Sequence, residues 1–171
     1  MSSIKISSAD HVQGTPDAVI TLVEYADYQC PYCREAFYIV KELQKKLGNR
    51  LKVVFRNYPL QDLHAYALNA SIASETSAMQ GKFWEMHDML FENQRQLQDS
   101  ALIRYAEEIG LDVEKFKKDF GSNPTIEKVK QDIDSGNKAG VEGTPTFFVN
   151  GVYFDGNWQS DEFLDYLESL V

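Results

Sequence analysis

The sequence predicts an α/β fold in which a block of helices separates a strand–helix–strand unit from a closing hairpin–helix unit. Three observations carry this. Residues 19–25 and Leu51-Lys52-Val53-Val54-Phe55 are apolar, β-branched runs with an amphipathic helix pattern between them, which is how a right-handed crossover between parallel strands reads. From Asp62 to about Lys138 no strand pattern appears. Asn150-Gly151 then falls between Thr146-Phe147-Phe148-Val149 and Val152-Tyr153-Phe154, a hairpin signal, because a type I′ turn needs positive φ at both central residues. The chain divides accordingly into a first half over 1–61, an inserted helical subdomain over 62–138 and a second half over 139–171.

In chain order, residues 1–18 read as an irregular arm with a turn at Gly14-Thr15-Pro16-Asp17. The first strand covers 19–25, and Asp27-Tyr28-Gln29 forms the turn that follows it. The next helix carries Ala36, Phe37, Val40, Leu43 and Leu47 on one face and stops at Gly48-Asn49. Five helices are expected in the block. Ala65, Leu68, Ile72, Ala73 and Met79 mark the first, and Phe83, Trp84, Met86, Met89, Leu90 and Phe91 the second. The third runs from Ser100 to Ile109, and Asp112 caps a fourth containing Val113, Phe116 and Phe120. Asn123-Pro124 starts the fifth, with Asn as N-cap and Pro at the first helical position. Ser160, followed by Asp161 and Glu162, caps the last helix, whose core face is Phe163, Leu164, Leu167 and Leu170. The aromatic side chains Phe83, Trp84, Phe91, Phe116 and Phe120 at helical spacing are read as core.

The chain has 171 residues, enough for one domain with a core of its own. A net charge of −9 argues against nucleic acid and anionic lipid as partners, since both require a basic surface. No window approaches the roughly 20 apolar residues of a membrane span, and the first ten residues lack the apolar core of a signal peptide. Taken as written, the chain is expected in the cytoplasm; as the mature form of an exported protein it would be extracytoplasmic. No added dimerisation segment is visible, so a monomer is expected.

Both cysteines lie in Cys30-Pro31-Tyr32-Cys33. A bridge this short does little for stability, because disulfides act mainly by closing long loops in the unfolded chain. Directly after a strand and at the head of a helix, the pair reads instead as a reversible two-electron couple. Cys30 at the helix N-terminus has its thiolate favoured by the helix dipole, by unpaired backbone N–H groups and by the Cys33 S–H. Cys30 is then the attacking sulfur and Cys33, lying deeper, resolves the mixed disulfide. A zinc site would need a second pair of ligands from another chain, and no metal is expected.

Two further positions stand out. Glu24, near the end of the first strand, is either an ordinary acid facing water or a buried carboxylate able to take and return the proton of the resolving thiol; the adjacent cysteine motif favours the second. Pro145, in Gly143-Thr144-Pro145-Thr146, starts a strand and by itself is compatible with an edge feature, a plain turn or a cis peptide. Tyr32 is expected to be exposed, and Tyr28 and Tyr153 are candidate apolar contacts for an extended substrate.

Three segments together resemble the DsbA-like thiol–disulfide oxidoreductases of the thioredoxin superfamily. They are Tyr25-Ala26-Asp27-Tyr28-Gln29-Cys30-Pro31-Tyr32-Cys33, Arg56-Asn57-Tyr58-Pro59-Leu60 and Gly143-Thr144-Pro145-Thr146-Phe147-Phe148-Val149-Asn150-Gly151. The resemblance implies a thioredoxin-like fold with an inserted helical subdomain. It implies that Pro145 is the cis-proline facing the cysteines, that Thr144 aligns substrate backbone, that Glu24 is the family's buried acid and that His64 belongs to a packing motif. Pro31-Tyr32 stands where strongly oxidising members have Pro-His, which removes one stabiliser of the Cys30 thiolate. A Thr144 hydroxyl bonded to the Cys30 sulfur would act in the opposite direction.

The expected activity is exchange of a Cys30–Cys33 dithiol or disulfide with protein or peptide thiols and disulfides. No cofactor is expected beyond that redox-active pair, and a redox partner recycles it. The alternatives are a chaperone-like binding module with vestigial thiols and a glutathione-linked thiol transferase.

Overall fold

The computed structural model describes residues 3–171. Five strands form one sheet in the order β1-β3-β2-β4-β5: β1 (His11–Gly14), β2 (Ile20–Ala26), β3 (Leu51–Asn57), β4 (Thr146–Val149) and β5 (Val152–Tyr153). β2 and β3 are parallel and joined by α1 (Pro31–Leu47), as the crossover pattern requires. β4 runs antiparallel to β2, and β5 antiparallel to β4. Between β3 and β4 lie α2 (Ala67–Ala78), α3 (Phe83–Glu92), α4 (Asp99–Glu108), α5 (Val113–Asp119) and α6 (Asn123–Ala139), and α7 (Asp161–Glu168) closes the chain. Among the described residues no helix is long and apolar enough to cross a membrane.

Side chains alternate across a strand. Ile20 and Leu22 of β2, Leu51 and Val53 of β3, and Phe147 and Val149 of β4 therefore share one face, where they pack against Ala36, Val40, Leu43 and Leu47 of α1 and Phe163 and Leu167 of α7. Val23, Tyr25, Val54 and Phe148 form the opposite face with Ala139 and Val141 at the end of α6. A third cluster joins the helical block to the sheet. It gathers Ala26, Tyr28, Phe37 and Phe55 with Phe83, Leu90, Phe91, Leu102 and Phe116, and it contains both cysteines.

The hairpin takes the expected form, with φ 49° at Asn150 and 84° at Gly151. Four expectations need correction. The arm of residues 1–18 contains strand β1, which pairs antiparallel with β3. His11-Val12-Gln13-Gly14 is a short edge strand with a half-polar alternation, so it has no apolar run to reveal it. Gly14, at φ 112°, lies so close to β3 that an added Cβ would stand 2.6 Å from the Leu51 carbonyl oxygen. The N-cap of α6 is Ser122 rather than Asn123, and Pro124 sits within the first turn, where no N–H is needed. Ser160 occupies the N-cap of α7, but its hydroxyl donates back to the Asn157 carbonyl instead of capping. Leu170, past the end of that helix, is exposed.

Candidate active site

Cys30 is the N-cap of α1, in extended conformation, with Pro31 in the first turn. Its N–H donates to the Asp27 carbonyl at 3.1 Å, and its own carbonyl accepts from the N–H groups of Cys33 and Arg34. Both thiols are free and buried; Cys30 is 5% exposed and Cys33 fully enclosed. The Thr144–Pro145 peptide, at the entry to β4, is cis, and the Cys30 thiol faces the Thr144 carbonyl oxygen at 3.7 Å.

The two sulfurs have opposite electrostatics. The Cys33 thiol beside it is the largest influence on Cys30, lowering its pKa to about 5 against the opposing effect of burial; the Thr144 side chain and the N–H groups of Cys33 and Tyr32 act in the same direction. Burial pushes the Cys33 thiol well up, and the adjacent Cys30 sulfur pushes it further. At neutral pH one sulfur is thus a thiolate and its partner keeps its proton, the division that nucleophile and resolving thiol require.

Glu24 lies on the α1 face of the sheet, between Leu22 and Ala26, with Phe55 and Phe147 as its cross-strand neighbours. It is 3% exposed, and its Oε1 has no hydrogen-bond partner. Burial alone raises its pKa to about 8. Cys33 lies on the buried side of α1, the helix that covers this face of the sheet.

The turn before Cys30 carries more than its sequence suggests. Asp27 is fully buried. Its Oδ1 accepts from the Gln29 N–H at 2.7 Å, and its Oδ2 accepts from the Leu60 N–H at 2.9 Å and from His64 Nδ1 at 2.8 Å. Its own N–H donates to Cys33 Sγ at 3.4 Å. Gln94, in the loop after α3, donates its amide to the carbonyls of both Tyr28 and Cys30. The sequence reading passed over Asp27 and Gln94 and assigned His64 to packing alone. Asp27 was findable in principle, since a carboxylate at a strand end beside a redox pair must find donors if buried. Nothing local marks Gln94, which lies 64 residues from the cysteine it touches.

Three expected site residues sit differently from their sequence reading. Tyr28 is fully buried between the Phe55 and Phe91 rings and presents no surface to a substrate. Tyr153 is paired with Phe148 and packs edge-on against it, on the sheet face opposite α1 and the cysteines. The Thr144 hydroxyl, expected to bond Cys30, is buried outside hydrogen-bond geometry; its side chain still helps to lower Cys30, while the contact at 3.7 Å runs through the Thr144 carbonyl. Pro31 and Tyr32 are exposed, and Tyr32 acts on Cys30 through its backbone N–H.

The sequence profile of the family described as thioredoxin matches residues 7–169. Among solved structures, a thioredoxin-like oxidoreductase from Silicibacter pomeroyi DSS-3 superposes with a TM-score of 0.84 at 28% identity, covering 95% of this chain and 92% of that one. Oxidised BdbD from Bacillus subtilis superposes with a TM-score of 0.86 at 26% identity, covering 99% and 96%. A curated relative, the Na(+)/H(+) antiporter NhaA 3 of Salinispora tropica, is 44% identical over 142 residues, which is 83% of this chain and 22% of the relative. The chain spans about a quarter of the length of the curated relatives it matches.

Proposed function

The chain belongs to the DsbA-like thiol–disulfide oxidoreductases of the thioredoxin superfamily, and on that premise we propose that it exchanges its Cys30–Cys33 pair with protein thiols and disulfides. The Cys30 thiolate attacks one sulfur of a substrate disulfide, and the displaced sulfur leaves as a thiolate that takes up a proton. In the minor fraction of molecules whose Glu24 is ionised at neutral pH, Cys33 passes its proton to that carboxylate and attacks Cys30 Sγ. The Cys30–Cys33 bond forms as the second substrate sulfur departs, and a redox partner restores the dithiol. Run backwards, the same steps oxidise a substrate dithiol. Pro145 has no N–H to continue the β4 ladder, which leaves room beside Cys30 for substrate backbone.

The carrying observation is the placement of the two sulfurs, Cys30 at the N-cap of α1 and Cys33 fully buried one helix turn on, which lowers Cys30 to about 5 and raises Cys33. The test is Cys30→Ser, which should abolish exchange with a model protein disulfide; retained exchange would sink the reading. Turnover of a glutathionylated peptide with none on protein disulfides would favour the thiol transferase instead. A stabilised thiolate favours the dithiol form, so we place the couple on the oxidising side of thioredoxin, above about −270 mV. A measured potential at or below that value rejects this direction.

A second reading rests on the relatives named as Na(+)/H(+) antiporters, which contain a segment similar to this chain. In it, a membrane cation antiporter supplies the thiols that the pair acts on. Cys33→Ser should then trap a mixed disulfide with an antiporter in the membrane fraction, and trapping of other proteins alone rejects it.

A further inference from the structure

We propose that Asp27 and His64 form a positioning pair that holds the backbone N–H aimed at Cys33, and so govern the resolving step specifically. This inference rests on the exchange reading above and adds to it the residues that prepare the second sulfur.

The argument begins with where the Asp27 N–H points. It is 3.4 Å from Cys33 Sγ and is the backbone donor that opposes the upward push on that thiol. When Cys33 loses its proton to attack, this contact becomes a charge-assisted hydrogen bond, which strengthens as negative charge develops. The Ala26–Asp27 peptide must therefore hold one orientation. On the strand side, Ala26 is paired with Asn57, and its carbonyl accepts from the Tyr58 N–H at 2.8 Å. On the loop side, the fixing comes from the Asp27 carboxylate.

That carboxylate is fully buried and takes three donors from two segments. Gln29 belongs to the cysteine loop, whereas Leu60 and His64 belong to the loop between β3 and α2. A carboxylate oxygen only accepts, so His64 Nδ1 carries the hydrogen. Removing His64 leaves Oδ2, which belongs to a fully buried carboxylate, with the Leu60 N–H as its one protein donor. A second tie, from the Tyr66 N–H to Gln29 Oε1 at 2.8 Å, holds the same two loops together. The loops thus stay joined when His64 is replaced, while the hold on the Asp27 peptide loses one of its three donors.

Cys30 meets Asp27 through the backbone alone, its N–H donating to the Asp27 carbonyl at 3.1 Å, and its sulfur takes no hydrogen bond from Asp27. Its thiolate is stabilised by the Cys33 thiol, the Thr144 side chain and the N–H groups of Cys33 and Tyr32. The pair should therefore influence resolution and leave the first attack alone.

The experiment mixes the reduced full-length protein with 5,5′-dithiobis(2-nitrobenzoate) in a stopped-flow instrument. The first thionitrobenzoate leaves as Cys30 attacks the reagent, in a bimolecular phase. The second leaves as Cys33 attacks Cys30 and closes the intramolecular disulfide, in a phase independent of reagent concentration. His64→Leu, and in parallel the less bulky His64→Ala, should slow the second phase about tenfold, the effect of losing one hydrogen bond to a charged group. The first phase should stay within about twofold. His64→Asn places an amide N–H where Nδ1 stands and should restore the second phase. A general loss of structure would slow both phases and would not be rescued by Asn. If the wild-type protein shows both phases and the His64 variants leave the second unchanged, this inference is wrong while the exchange reading stands. Absence of the first phase in the wild-type protein would overturn the exchange reading and this inference with it.

Discussion

Two regions of this protein bury carboxylates to the same depth and give them different partners; burial pushes both Glu24 and Asp132 up, but Lys128 and Asn57 oppose it only at Asp132. Glu24 is 3% exposed, Glu75 and Asp132 4% each. Glu75 and Asp132 lie where β1, β3, α2 and α6 meet. Glu75 bonds His11 Nε2 at 2.6 Å, Lys128 Nζ stands 2.6 Å from Asp132 and 3.7 Å from Glu75, and the Asn57 side-chain amide bridges both acids. Glu24 lies between two phenylalanines, and its Oε1 has no partner. Burying an ion is tolerable when it is paired and hydrogen-bonded, and it otherwise drives the group to its neutral form. The network therefore reads as structure that fastens the helical block to the sheet. The lone acid beneath the cysteine helix reads as a proton reservoir kept at a cost in stability.

The largest expected effect tests that cost. The folded-state value of Glu24, about 8, stands above its ordinary 4.5. Between these pH values the folded protein holds a proton that the unfolded chain has released, so stability falls as pH rises through this window. Glu24→Gln should match the wild type below pH 4.5 and be more stable above pH 8, by on the order of 4 kcal/mol. It should also slow resolution of the mixed disulfide about a hundredfold. Urea unfolding at several pH values checks the first, and a flat difference would mean that Glu24 is solvated or paired.

Lys128→Met comes next. Without the cation, Glu75 and Asp132 face each other in a buried site, and the loss should be about 3 kcal/mol at neutral pH. Exchange activity per folded molecule should remain. A loss below about 1 kcal/mol would erase the contrast between the two regions. His11→Phe is milder, because the ring that stacks on Phe83 at 3.7 Å is kept and only the Glu75 contact is lost. Denaturation should report a loss of about 1.5 kcal/mol. The smallest effect concerns the other lone polar atom of the site, Thr144 Oγ1. Thr144→Val should bring the Cys30 pKa up from about 5 toward the ordinary thiol value. Ultraviolet titration of the thiolate checks this, and an unchanged midpoint would assign the lowering to Cys33 and the backbone alone.

Much of the fold was legible because it rests on local periodicity. The β2–α1–β3 unit, the helices of the block and the Asn150-Gly151 hairpin each carry their pattern in contiguous residues. Strand β1 was not legible, because a four-residue edge strand takes its place from pairing with β3 rather than from its own apolar content. The candidate site divides in the same way. Cys30, Cys33, Pro31 and Tyr32 announce themselves within one tetrapeptide. Tyr28, adjacent to them, resembled a surface residue in sequence but lies under Phe91, a side chain supplied by α3.

The sequence by itself determined the candidates: two sulfurs in one tetrapeptide, their place at the head of a helix, and an acid on the preceding strand. Spacing along one strand and one helix turn suffices for that. Only the tertiary structure decided the environment of each group. It left Glu24 without a partner and gave Asp27 three donors, one of them from His64, 37 residues away. It also brought Gln94 to the Cys30 carbonyl. Hydrogen-bond satisfaction and desolvation depend on what the fold brings alongside a residue, and no local pattern records that.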